Sequence, residues 1–212
     1  MSTETVATDT ATAPRAALAA TAAETECILH ALADILDGIT DEQANAPTPC
    51  TQYAVADLRA HVVGWAVAFG AGLQAADGRA ADPITVPIMG SGSAQVRGAG
   101  AAIVAGIASG GGDRDLILAD GAGMPGAMAL AMILWEYQVH GWDLAVATAQ
   151  PWSPGAEALS DSIAFAEQML TPDFQGVGKA FGPRVAVPTD APALDRLLAL
   201  SGRDPRWAAP LP

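Results

Sequence analysis

The chain has 212 residues, of which 51% are hydrophobic and 16% are charged, and its formal net charge is −13 at pH 7. This length and composition are typical of one globular domain that buries a substantial core. With 10 basic residues against 23 acidic ones, the chain is unsuited to binding nucleic acid or an anionic membrane.

The N-terminus and the cysteines bear on where the protein resides. Residues 1–12 are rich in Thr and Ala and contain no basic residue, which argues against a signal peptide. We predict a disordered tail over residues 1–13 and a single domain over residues 14–212. No apolar stretch is long and uninterrupted enough to predict a membrane-spanning helix. Cys27 and Cys50 are too few for a disulfide framework, so we expect a reducing, cytoplasmic location.

The spacing of apolar residues predicts an all-α fold with six helices. In chain order, these helices span residues 15–38, 55–65, 94–108, 124–150, 154–170 and 191–201. The fourth helix is expected to open with Met124 and Pro125, because proline is tolerated in the first helical turn. Residues 115–119 are interpreted as a short strand or as a loop that lines a cavity. Prolines and glycines mark the connections at 41–51 and 77–92.

The fourth predicted helix carries the most informative side chains. It is apolar around its circumference, so we expect it to be buried. Glu136 and His140 are four residues apart, which places them on one face of a helix about 6 Å apart. A buried carboxylate is costly unless it is paired or bound to a metal. This spacing therefore suits either two ligands of one cation or a structural Glu–His pair.

Other residues could complete or support such a site. His61 lies on the inward side of the second predicted helix and is a candidate third ligand. Asp57 and Asp143 each lie within a turn of a histidine, where they would either orient an imidazole or cap and solvate a helix. Cys50 is interpreted as a small packing residue rather than a nucleophile. The chain contains no GxSxG, HExxH or CxxC motif.

Three segments resemble one known family. Residues 48–61 read Thr-Pro-Cys-x-x-Tyr-x-Val-x-Asp-Leu-x-x-His, which looks like the N-terminal signature of the mycothiol-dependent maleylpyruvate isomerase-like proteins, within the DinB-like superfamily. Residues 136–145 read Glu-x-x-x-His-Gly-Trp-Asp-Leu-Ala, which is similar to the second family signature. The end of the chain, from Phe181 to Trp207, resembles that of a single-domain actinobacterial subgroup described as metal-binding.

The resemblance implies a fold and a metal centre. The expected fold is a DinB-like four-helix bundle with extra short C-terminal helices. The expected metal ligands are His61, Glu136 and His140, with Zn²⁺ as the first choice and Ni²⁺, Fe²⁺ or Mn²⁺ also suited to nitrogen and oxygen ligands. Tyr53 stands where the family usually shows tryptophan, a change that we expect to affect packing rather than ligation.

Two imidazoles and one carboxylate leave a coordination position open, as in catalytic zinc sites. The resemblance implies that a low-molecular-weight thiol such as mycothiol occupies it and attacks a small electrophile, which predicts a thiol S-transferase or isomerase. Asp143 is expected to orient a ligand or the substrate, and Trp142 to form a pocket wall. The partner is then a small-molecule substrate, and the protein a monomer or homodimer. The alternatives are a non-enzymatic metal or small-molecule binding protein, and a metal-dependent hydrolase or lyase that activates water.

Overall fold

The computed structural model describes residues 9–179 and 181–209, with side chains from residue 14 onward. Within these residues the fold is mostly helical, which confirms the predicted all-α class. The six helices are α1 (Asp9–Asp37), α2 (Val55–Gln74), α3 (Ser93–Ala108), α4 (Gly126–Ala147), α5 (Ala156–Met169) and α6 (Ala193–Leu200). Strands β1 (Asp115–Ile117) and β2 (Gly123–Pro125) form a small antiparallel hairpin. None of the described helices is long and apolar enough to cross a membrane.

Helices α1 to α4 pack as a bundle around one core. Helix α3 contacts both α1 and α2, and α4 closes the bundle by contacting the same two helices. The apolar stripe predicted for α1 is buried through Leu29, Leu32 and Leu36. Leu58 and Val62 of α2 meet the same core. This arrangement agrees with the expected DinB-like four-helix bundle.

Helices α5 and α6 cover the outer side of α4. Trp135, Val139 and Trp142 of α4 form a second hydrophobic cluster with Leu159 of α5 and Leu197 of α6. Because α4 is apolar around its circumference, it needs apolar neighbours on both sides, and the two C-terminal helices supply those on the side away from the bundle. Helix α4 thus lies between two cores, and its polar residues are partly enclosed.

Close packing of α2 and α3 depends on glycine. A Cβ atom at Gly106 would lie 2.8 Å from the backbone carbonyl carbon of Leu73 and 2.9 Å from its oxygen. At that distance the backbones would have to move apart. The glycines of α3, which are poor helix formers, are therefore explained in part by the approach of α2.

The predicted boundaries of three helices differ clearly from the observed ones. Helix α2 continues to Gln74, well beyond its predicted end at Trp65. Helix α1 begins at Asp9 rather than near Arg15, because the prediction relied on an apolar stripe that starts only at Leu18. Residues 1–8 lie outside the described residues, so the tail predicted there stays a prediction. Helix α4 begins at Gly126, since Met124 and Pro125 belong to β2 and pair with β1. A local reading of the sequence does not reveal that pairing.

Candidate metal centre

A cleft of about 620 Å³ lies where the start of α2 and the middle of α4 meet the C-terminal part of the chain. Its walls contain His61, Glu136 and His140, the loop at 49–53, and C-terminal residues including Lys179, Phe181 and Arg203. Its volume is suited to a small molecule. The three predicted metal ligands therefore line the same cleft.

The imidazoles of His61 and His140 lie side by side, one from α2 and the other from α4. Their ring centroids are 5.2 Å apart and the rings meet edge to face. Burial, followed by the charge of His140, lowers the pKa of His61 to about 4. His61 is therefore neutral at physiological pH, and the neutral imidazole is the form that binds a metal.

The ring of His140 is oriented by Asp143. The two side chains meet at 3.0 Å, between His140 Nδ1 and a carboxylate oxygen of a fully buried Asp143. Arg203 donates to the same carboxylate from Nε at 3.2 Å and from Nη2 at 3.1 Å. With its charge paired by Arg203, the carboxylate acts as the acceptor and His140 Nδ1 as the donor, an arrangement that places the lone pair of a neutral imidazole on Nε2.

Glu136 lies one turn before His140 on α4 and is half-buried. Burial raises the pKa of its carboxyl, an effect that the nearby charges of His140 and Arg203 partly offset. Among the described residues, no side chain forms a hydrogen bond or an ion pair with this carboxylate. A partly buried carboxylate without a partner is costly, and a cation in the cleft would offset that cost. The Glu136 carboxylate is therefore free to bind such a cation.

The ring of His61 contacts Tyr53. The phenolic oxygen lies 3.2 Å from His61 Nδ1, and the ring centroids are 5.0 Å apart. We expected tyrosine at this position to affect packing rather than ligation; its hydroxyl also reaches an imidazole that is a predicted ligand, and the effect on ligation stays a prediction. Local sequence reasoning missed this contact, since it assigned the ring to packing by analogy.

A tight turn before α2 places Tyr53 beside His61. The hydroxyl of the buried Thr48 lies 3.0 Å from the carbonyl oxygen of Cys50 and 2.9 Å from that of Tyr53. The amide of Tyr53 also donates to the carbonyl of Cys50 at 2.9 Å. These contacts explain the Thr-Pro-Cys-x-x-Tyr segment physically, because the Thr48 hydroxyl stabilises the turn that places Tyr53 beside His61.

Cys50, His140 and Asp143 form a group that could hold a metal ion, because their donor atoms lie within 4.8 Å of one another. Both oxygens of Asp143 already accept from Arg203, however, so a cation bound there would meet the guanidinium charge. Burial also raises the pKa of the Cys50 thiol, which disfavours the ligating thiolate. The donor atoms of His61, Glu136 and His140 do not converge as closely among the described residues, so that ligand set stays a prediction.

The remaining predicted residues lie outside the cleft wall. Trp142 is buried in the second hydrophobic cluster, where α4 packs against α5 and α6. Asp57 is exposed and accepts from the amide of Ala54 at 3.3 Å, so it caps the start of α2 instead of orienting His61. Asp143 contacts His140 but is not among the residues that line the cleft.

Arg203 is the main residue of the site that sequence reasoning missed. Its side chain is only 11% exposed, and it joins the end of the chain to α4 through Asp143. A signal for it was present, because an aspartate in an apolar helix requires a cationic or metal partner. The chain has ten basic residues, so this requirement predicts that one of them pairs with Asp143 but does not say which one.

Comparisons with known proteins place this arrangement in context. The family model described as "Mycothiol maleylpyruvate isomerase N-terminal domain" matches residues 25–145, which contain His61, Glu136, His140 and Asp143. Two uncharacterized proteins of Mycobacterium tuberculosis, from strains CDC 1551 / Oshkosh and ATCC 25618 / H37Rv, are each 32% identical over 178 residues. The matches cover 83% of this chain and 93% of each relative. No solved structure matches the chain.

Proposed function

Since the chain belongs to the mycothiol maleylpyruvate isomerase N-terminal domain family, a DinB-like family, we propose that it is a metal-dependent enzyme that uses a low-molecular-weight thiol. The proposed reaction is S-transfer to a small electrophile or thiol-assisted isomerisation. The observation that carries the proposal is the meeting of His61 and His140, with ring centroids 5.2 Å apart, in a cleft that Glu136 also lines.

The donor chemistry of the cleft fits a divalent cation. The proposed ligands are His61, Glu136 and His140. In both imidazoles Nδ1 contacts an oxygen of a neighbouring side chain, so Nε2 would be the nitrogen that binds the cation. Zinc suits two nitrogen ligands and one oxygen ligand, and nickel, iron and manganese are also compatible. When bound, the cation would lower the pKa of a coordinated thiol so that the thiolate forms at neutral pH.

The surrounding residues perform the binding and positioning. Asp143 orients His140, and because it lies outside the cleft lining its role is directed to the imidazole rather than to the substrate. The loop at 49–53 and the C-terminal residues 181–183 both form parts of the wall that would enclose the thiol and the electrophile. Enclosure of this kind limits the access of water to a reactive thiolate.

A metal-dependent hydrolase or lyase is less well supported. Such an enzyme needs a general base beside the activated water. Among the described residues that line the cleft, the only imidazoles and carboxylate are those of His61, Glu136 and His140. A non-enzymatic binding protein would use the same residues, and an assay of turnover with simple electrophiles separates it from the proposed enzyme.

The first experiment measures metal content by elemental analysis in the wild type and in the double variant His61→Ala, His140→Ala. We expect about one divalent metal ion per wild-type chain, by analogy with one-ion catalytic zinc sites, and almost none in the double variant. His30→Ala is the matched control, because His30 is an exposed histidine of α1. Equal metal content in the wild type and the double variant would rule out the proposed ligands.

The second experiment tests the thiol. Thermal denaturation is followed with mycothiol, with and without a chelator. We expect mycothiol to raise the melting temperature of the metal-loaded protein only, since the proposed binding position is on the cation. A shift that persists after chelation would contradict metal-dependent thiol binding.

A further inference from the structure

The contact between Tyr53 and His61 assigns a role to a residue outside the predicted ligand set. We propose that Tyr53 is the positioning residue of His61: its hydroxyl oxygen accepts a hydrogen bond from His61 Nδ1 and so holds the tautomer whose Nε2 binds the cation. This inference rests on the proposed function, because it concerns a ligand of the proposed metal centre.

The geometry at His61 allows one arrangement once a cation is bound. A cation on Nε2 requires the ring proton to reside on Nδ1. The oxygen of Tyr53, 3.2 Å away, is within hydrogen-bonding distance of that nitrogen. If the hydroxyl donated to Nδ1 instead, the proton of the neutral ring would be on Nε2, where it would block ligation.

The chemical state of Tyr53 suits an acceptor. Its hydroxyl oxygen carries lone pairs that can accept a hydrogen bond from an imidazole N–H. The turn tied by Thr48 fixes the backbone of Tyr53, so the oxygen is positioned before any ligand arrives.

His61 and His140 are then oriented by different kinds of oxygen. His140 has the carboxylate of Asp143, whereas His61 has a neutral phenol. A carboxylate makes the opposite ring nitrogen more basic than a neutral acceptor does. We therefore assign His61 as the weaker of the two nitrogen ligands. The orientation of its ring depends more on Tyr53 than on any other contact.

The test compares Tyr53→Phe with Tyr137→Phe. Both changes remove one phenolic hydroxyl that contacts α2, but Tyr137 donates to the backbone carbonyl of Val62 at 3.0 Å and forms no hydrogen bond with the His61 side chain among the described residues. Zn²⁺ affinity is measured by competition with a chromophoric chelator, and thermal stability is measured on the metal-free proteins. We expect Tyr53→Phe to weaken Zn²⁺ binding about 10-fold or more, and Tyr137→Phe to lower stability without a comparable loss of affinity.

A spectroscopic measurement on the folded wild type protects the test against misfolding of a variant. In the wild type loaded with Zn²⁺, ¹⁵N–¹H correlations of the imidazole should show His61 protonated on Nδ1. Protonation on Nε2 in that state would overturn the proposal.

The outcomes separate this inference from the proposed function. Zn²⁺ binding that is lost in His61→Ala but unchanged in Tyr53→Phe overturns the role of Tyr53 and leaves the metal centre intact. Zn²⁺ binding that does not depend on His61 overturns the proposed metal centre and the role of Tyr53 together. Loss of affinity in Tyr53→Phe, with Tyr137→Phe near wild type, supports both.

Discussion

The carboxylate of Asp143 connects two parts of the molecule through hydrogen bonds. It accepts from Arg203 at 3.1 to 3.3 Å and contacts His140 Nδ1 at 3.0 Å. No part of the Asp143 side chain is exposed, so its charge depends on these partners. Because Arg203 follows α6, the end of the chain helps to hold an imidazole of the bundle.

Replacing Arg203 should therefore affect stability as well as the site. In Arg203→Met the buried Asp143 carboxylate loses its cation, and we expect the free energy of unfolding to fall by about 3 kcal/mol. Chemical denaturation measures the change. The double variant Asp143→Asn, Arg203→Met should recover part of the loss, because it removes the unpaired charge. Equal destabilisation by the single and double variants would contradict the importance of the ion pair.

At the scale of elements, the helices divide into a bundle and an outer layer. Helix α4 belongs to both, since Leu130 and Ile133 face the first core while Trp135 and Val139 face the second. This double burial explains why the charged residues of α4 are few and clustered. Within the bundle, α2 and α3 approach each other closely at Gly106.

Alanine substitutions in α3 should have opposite effects at two glycines. Gly106→Ala places a methyl group against the backbone of Leu73, and we expect a loss of about 1–3 kcal/mol in the free energy of unfolding. Gly98→Ala is the matched control, because a methyl group there would point into open space, with no neighbouring atom of the described chain within 4 Å. At that position we expect a gain of about 0.5–1 kcal/mol from helix propensity. Urea denaturation measures the free energy of unfolding of both variants. A stabilising effect of Gly106→Ala would contradict the packing argument.

At the scale of the whole molecule, the C-terminal part is integrated with the bundle. Phe181 stacks on Trp135 of α4 with ring centroids 5.0 Å apart, and the indole of Trp135 donates to Ser201 at 2.9 Å. These C-terminal residues lie beyond the stretch that matches the family model, yet Phe181 and Arg203 line the cleft. The cleft is thus a product of the bundle and the C-terminal part together.

The acidic character of the chain has a local consequence where the bundle meets α5. Burial raises the pKa of Glu24 on α1, and the carboxylates of Asp161 and Glu157 on α5 raise it further. A carboxyl with a raised pKa in the folded state favours folding at low pH, and this contribution is lost as the pH rises through the folded pKa. Glu24 therefore destabilises the protein at neutral pH.

Glu24→Gln should relieve this repulsion. We expect a gain of about 0.5 kcal/mol at pH 7, which is the scale of like-charge pairs on helices. The gain should vanish as the pH falls below 4.5, the ordinary pKa of a glutamate. The gain is measured from melting temperatures across this pH range. Glu26→Gln is the control, because the Glu26 side chain lies against Gly100 of α3 and the repulsion to be tested comes from carboxylates of α5. A gain that is independent of pH would exclude the electrostatic explanation.

The sequence by itself determined where the helices form and which residues are candidate metal ligands. The helices follow from apolar periodicity, which is a local property, and Glu136 and His140 share a face because a helix repeats every 3.6 residues. The tertiary structure decided which distant groups meet: His61 with His140, Tyr53 with His61, and Arg203 with Asp143. Such contacts depend on how helices and loops pack, because partners far apart in the chain leave no periodic signal in the sequence.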